Sequence, residues 1–174
     1  MKNLWGLILG ILVGGSAILN AYSAVFASIP EDITLPQYNS VSCNFTQVKT
    51  IPNSSAEVKS GGIFKYSADN GVIFETTYPV KATTAYTSEQ SKKISEIISA
   101  IRRKDSTYLN QNFDLNYIKN EKDWRLSLKP KSTSNTAKLM TSIIIEGAHY
   151  INRIDINTIK SGTTKINFTG CTSQ

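Results

Sequence analysis

The sequence predicts an α+β domain: an antiparallel sheet of about eight or more strands, apolar on one face and polar on the other, broken once by helix. Three observations predict it. Ser60 to Pro79 holds two runs of period two, Ile63 to Ser67 and Val72 to Thr77, around a Ser-Ala-Asp-Asn-Gly turn. Phe64 and Tyr66 share one face of the first run, and Val72, Phe74 and Thr76 share one face of the second, which makes a β-hairpin with an aromatic inner surface. The period changes once, between Glu89 and Arg103, where Ile94, Ile97, Ile98 and Ile101 recur at helical spacing. After Asn112 it returns to two and stays there to Phe168.

The chain has 174 residues, enough for one domain with its own core. Lys2 precedes an uncharged apolar run from Leu4 to Leu19 and then small residues, the layout of a secretory signal peptide. The run is shorter than the roughly 20 apolar residues of a membrane span and contains four glycines. Cleavage is expected after Ala27, with Ser23 as the alternative, so residues 1–27 are read as the signal peptide and 28–174 as the exported domain. Pro30 and Pro36 restrict the segment up to Tyr38 to a turn or two of helix. Val41 to Thr50 alternates with Val41, Cys43, Phe45, Gln47 and Lys49 on one face, a first strand. A Pro52–Ser55 turn leads through Ala56–Ser60 into the hairpin, and Lys81 to Thr87 is a further short strand. In the hairpin turn, Asn70-Gly71 supplies positive φ.

Ser88 suits the N-cap of the helix, and Arg102, Arg103 and Lys104 place positive charge at its C-terminal end. Asp105 is expected to cap a second short helix, Ser106 to Asn112, which carries Leu109. Phe113, Leu115 and Tyr117 alternate, as do Trp124, Leu126 and Leu128 after a polar Lys-Asn-Glu-Lys turn. Thr141, Ile143 and Ile145 continue the pattern, followed by Tyr150, Ile154 and Ile156, and then by Thr164, Ile166 and Phe168.

Charge and motifs narrow the function. The formal net charge is +6, falling to +5 once Lys2 leaves with the signal peptide, and it is spread along the chain. Nucleic-acid binding is not expected, since no aromatic-basic motif or basic helix is present. His149 is the one histidine and adjoins a turn, which favours a solvated role over a catalytic one. No metal site or cofactor is expected from two cysteines and one histidine so far apart, and no nucleotide-binding or hydrolase motif occurs. Cys43 and Cys171, an even count in an exported chain, are expected to form one disulfide tying the first strand to the last, with a stabilisation of about 4 to 5 kcal/mol in the chain-entropy picture. A sheet with one apolar face and few covering elements points to binding rather than to a reaction.

Phe45-Thr46-Gln47, Ser60-Gly61-Gly62-Ile63-Phe64, Gly71-Val72-Ile73-Phe74-Glu75 with Pro79, and Trp124 to Lys131 resemble the recurring motifs of the LolA-type outer-membrane lipoprotein carriers. The resemblance spans about Val41 to Phe168. It implies an unclosed antiparallel β-barrel, a half-barrel sheet wrapped over a small number of helices, with a hydrophobic cavity that shields the acyl chains of lipoproteins or another lipid crossing the periplasm. It further implies an inner-membrane transporter as donor, an outer-membrane acceptor, and a monomeric carrier without catalysis. The cavity is expected to be lined by Phe45, Phe64, Phe74, Trp124, Leu126, Leu128, Ile143, Ile145, Ile154, Ile156 and Phe168, with Ile94, Ile97, Ile98 and Ile101 as the helical lid. Two departures stand out: Ser67-Ala68 occupies the place of the arginine-proline pair that helps latch the family's lid, and Pro30 and Pro36 nearly exclude its long first helix. The competing readings are an interaction module whose helix fills the sheet, an accessory to an exporter of a different lipid, and a hydrolase centred on His149.

Overall fold

The structure is a computed structural model, and its described residues are 38–67, 69–85 and 89–173. The signal peptide, the stretch with Pro30 and Pro36, Ala68 and the Ser88 cap lie outside them. Among the described residues, β1 (Ser40–Thr50), β2 (Glu57–Ser67), β3 (Gly71–Tyr78) and β4 (Ala82–Ala85) precede α1 (Glu89–Arg102) and α2 (Ser106–Asn112). Then come β5 (Phe113–Lys119), β6 (Trp124–Pro130), a 3-10 turn (Asn135–Lys138), β7 (Met140–Gly147), β8 (Ile151–Thr158) and β9 (Thr163–Ser173).

The strands form one antiparallel sheet in the order β4-β3-β2-β1-β9-β8-β7-β6-β5. The sheet is not closed; β4 and β5 are its two edges, and the fold is an open half-barrel of the α+β class. Each flank is a meander of sequence-adjacent strands, and the two meanders meet at β1 and β9. The helices carry the chain from the β4 edge to the β5 edge.

Alternation sets which side chains face inward, and register lines them up across strands. Tyr117, Leu126, Ile145, Ile154 and Ile166 form one continuous row over five strands. Phe45 lies opposite Phe168, and Phe64 opposite Phe74. The rings of Phe45 and Phe64 meet Phe74 edge-on at 4.8 and 5.1 Å, and Phe64 meets Phe168 at 4.8 Å. Rings in these arrangements add about 0.5–1.5 kcal/mol per pair to their burial.

Three boundaries differ from the sequence reading. β2 starts at Glu57, ahead of the apolar run, because Lys49 and Val48 of β1 supply backbone partners to Val58 and Lys59 whatever their side chains. β9 runs past Phe168 to Ser173 through a bulge in which Gly170 and Cys171 both oppose Cys43, with Gly170 at φ +59°. Tyr150, expected to open a strand, sits in the turn before β8, and a register shift at Glu146/Gly147 resets the pairing to Ile151. In the first hairpin the positive φ belongs to Gly71 at +68°. Asp105 caps α2 as expected, its carboxylate accepting from the Tyr108 backbone N–H at 2.9 Å.

Candidate functional site: the concave face and its helical cover

The inward face of the half-barrel is apolar almost without interruption. Phe45, Phe64, Phe74, Trp124, Leu126, Leu128, Ile143, Ile145, Ile154, Ile156 and Phe168 are all buried there. The α1 stripe closes on them: Ile97, Ile98 and Ile101 are buried, and Ile94 is half-buried against the same core. α1 is joined to α2 by a polar link, with Lys93 donating to Glu96 at 2.7 Å and the Tyr108 hydroxyl donating to Glu96 at 3.2 Å. The end of α2 is held more firmly, since Lys131 Nζ donates to the Asn110 carbonyl at 2.6 Å and Ser134 Oγ to Asn112 Oδ1 at 3.0 Å.

Between α1 and the sheet remains an apolar cavity of about 60 Å³. Phe64, Trp124, Ile154 and Phe168 line it from the sheet, and Ile98 and Ile101 from the helix. The other expected lining residues pack into the surrounding core. Tyr38, Val41, Cys43, Tyr66, Tyr150 and Ile151 also border the cavity, though the sequence reading did not assign them there. Tyr66, Val41 and Cys43 lay on the apolar faces of their strands and were legible as such. Tyr150 shares the alternation of Ile154 and Ile156 but stands in the turn before β8, whereas Tyr38, ahead of β1, carries no such signal; both reach the cavity through tertiary packing. Ligand pockets run to about 300–1,000 Å³, so the space left between α1 and the sheet is smaller than an ordinary ligand pocket.

Aromatic side chains form one end of the cavity. Tyr38 stacks on Tyr150 at 4.7 Å, and the exposed His149 ring meets Tyr38 and Tyr150 edge-on at 5.7 and 4.7 Å. The Tyr38 hydroxyl donates to the His149 carbonyl, and Trp124 Nε1–H donates to the Ala148 carbonyl at 2.9 Å. Burial, and secondarily Tyr150, push the Tyr38 phenol up to about 12. His149 is thus part of an aromatic turn. Among the described residues no group of three or more His, Cys, Asp or Glu side chains is placed to hold a metal ion.

The Cys43–Cys171 disulfide is formed and joins β1 to β9, with Cys43 bordering the cavity. Ser67, which stands where the resemblance places an arginine, alternates to the face opposite Phe64 and Tyr66. Its Oγ accepts from the Asn70 backbone N–H at 3.0 Å and so fastens the hairpin turn. A latch to the helix is therefore not available at Ser67.

No protein-family model matches the chain, and no curated protein matches it. Among solved structures, the chain is similar to an outer membrane lipoprotein-sorting protein domain from Vibrio parahaemolyticus, with a TM-score of 0.34 and 10% identity over 78% of this chain and 86% of that one.

Proposed function

We propose that the protein is a periplasmic carrier that takes the acyl chains of lipoproteins, or of another lipid, between the concave sheet face and α1, and performs no catalysis. The observation that carries this reading is the pairing of an unclosed, almost entirely apolar concave face with a helical cover whose contact to it is made by isoleucines and leaves an apolar cavity. Apolar contact of this kind is exchangeable: an acyl methylene replacing an isoleucine methyl against the sheet gains about 0.8 kcal/mol, much as the side chain did. The disulfide supports an oxidising compartment, and with it the export expected from residues 1–27. The donor transporter in the inner membrane and the acceptor in the outer membrane belong to the same proposal.

The small size of the cavity favours a second reading, an interaction module in which α1 permanently fills the half-barrel. One experiment separates the two. Native mass spectrometry of protein purified from a periplasmic extract, followed by titration of the delipidated protein with a fluorescent 16-carbon acyl probe, is expected to show co-purified lipid and saturable binding. A disulfide engineered between the Ile98 region of α1 and the facing sheet is expected to abolish loading and leave the fold intact. Neither lipid nor probe bound to the wild type, or undiminished loading of the cross-linked form, would favour the module.

A further inference from the structure

Two buried side-chain polar atoms have no hydrogen-bond partner among the described residues, the hydroxyls of Tyr117 and Thr136. Thr136 is fully buried in the short turn between β6 and β7. Tyr117 is placed differently. It stands on the edge strand β5, in the row of inward positions begun by Phe113 and Leu115, and pairs across the strand with Leu126. Its ring is half-buried against the core while its oxygen is out of contact with solvent. Two residues further on, Lys119 pairs with Trp124, which lines the apolar cavity. The hydroxyl is thus an unsatisfied donor among mostly hydrocarbon side chains, close to the open edge of the half-barrel and outside the present lining of the cavity. Such groups are rare in folded proteins, because leaving one buried and unpaired is unfavourable. A tyrosine hydroxyl keeps its proton at neutral pH and can donate, and burial raises the Tyr117 phenol further above its ordinary range.

We infer that the Tyr117 hydroxyl is the polar anchor of the acyl site, donating a hydrogen bond to the ester or amide carbonyl at the head of an acyl chain. The inference rests on the carrier reading. It narrows the ligand to chains carrying a neutral carbonyl where they leave the apolar face, and it orients them with the head towards the β5 edge. A plain hydrocarbon would satisfy the rest of the surface but not this atom.

The test compares two fluorescent 16-carbon probes, one with an amide carbonyl at its head and one with a methylene in that place, against the delipidated wild type and Tyr117→Phe. The substitution is expected to weaken the amide probe about three- to tenfold and to leave the methylene probe unchanged. The melting temperature should hold or rise, since an orphaned hydroxyl is removed without loss of ring volume. Tyr117→Met provides a second variant with the same expected selectivity. Equal loss on both probes would make Tyr117 a packing residue, and no loss on either would leave the hydroxyl without a ligand; each overturns the inference and leaves the carrier reading standing. Failure of the wild type to bind either probe would overturn both.

Discussion

Ile97 and Ile98 are adjacent on α1 and both buried, at 1% and 6% exposure, yet only Ile98 borders the cavity. Truncating each to alanine therefore removes the same three carbons from two different surroundings. The lost transfer free energy is about 2.4 kcal/mol in either case, at about 0.8 kcal/mol per methylene-sized group. Around Ile97 the packing is complete, so the void left behind adds to the cost, and Ile97→Ala should destabilise by about 3–4 kcal/mol. Around Ile98 some contacts are already missing on the cavity side, and Ile98→Ala should cost about 2–3 kcal/mol. Binding should divide the two the other way. Ile98→Ala enlarges an existing cavity of about 60 Å³, and room for about two more methylenes of a bound chain corresponds to roughly tenfold tighter binding. Ile97→Ala opens an isolated void and should not strengthen binding. Urea denaturation gives the stabilities, and titration with the 16-carbon acyl probe gives the affinities. If Ile98→Ala binds the probe no better than Ile97→Ala, the cavity is not the beginning of a ligand site and the reasoning fails.

Thiol labelling of the exported protein under denaturing, non-reducing conditions should find no reactive cysteine, and replacing Cys43 and Cys171 by serine should lower stability by about 2–5 kcal/mol, as read by denaturation; two labelled thiols would contradict the bond. Ser67→Arg should leave probe affinity and off-rate unchanged, because Ser67 faces away from the inner surface. The same change removes the hydroxyl that accepts from Asn70 N–H and should cost about 0.5–1.5 kcal/mol in a melting experiment. Tyr38, raised to about 12 from an ordinary 10.0, is stabilising in its protonated form. Its contribution is complete below pH 10 and is lost as pH rises through 12. An ultraviolet titration should lose its highest-pH tyrosine step in Tyr38→Phe, and a difference confined to lower pH would contradict the assignment.

Much of this architecture can be read in the amino-acid sequence, because burial and periodicity coincide wherever a strand has a wet and a dry side. Leu126, Leu128, Ile143, Ile145, Ile154 and Ile156 alternate cleanly and end on the inner face. The isoleucines of α1 could be placed for the same reason. What escaped is structure held by backbone or by distant contacts. The first residues of β2 carry no apolar signal, and Val58 faces outward at 47% exposure. Gly62 lets β3 approach closely, since a Cβ there would fall 1.9 Å from the Glu75 carbonyl oxygen; the sequence displays the glycine without its partner. The size of the cavity was equally hidden, because it depends on how deeply α1 settles between the edges. The orphaned hydroxyl of Tyr117 could not be foreseen from an alternation that treats tyrosine as one more aromatic.

The path of the chain between the two edges constrains how this fold can open. Nine strands at a spacing of about 4.8 Å measure roughly 38 Å along the arc, while the 14 residues of α1 extend about 21 Å. The helical connection leaves from one rim and returns to the other, like a strap buckled at both ends, so it cannot swing away as a hinged flap does. Space beneath it grows if the strap rolls about its own axis or if the rims draw apart and the arc flattens. Flattening would change the curvature across the sheet, including the junction where β1 meets β9 and where Cys43 and Cys171 are joined. The covalent bond then acts as the pin of a bow: curvature can change on either side of it while the two limbs stay joined.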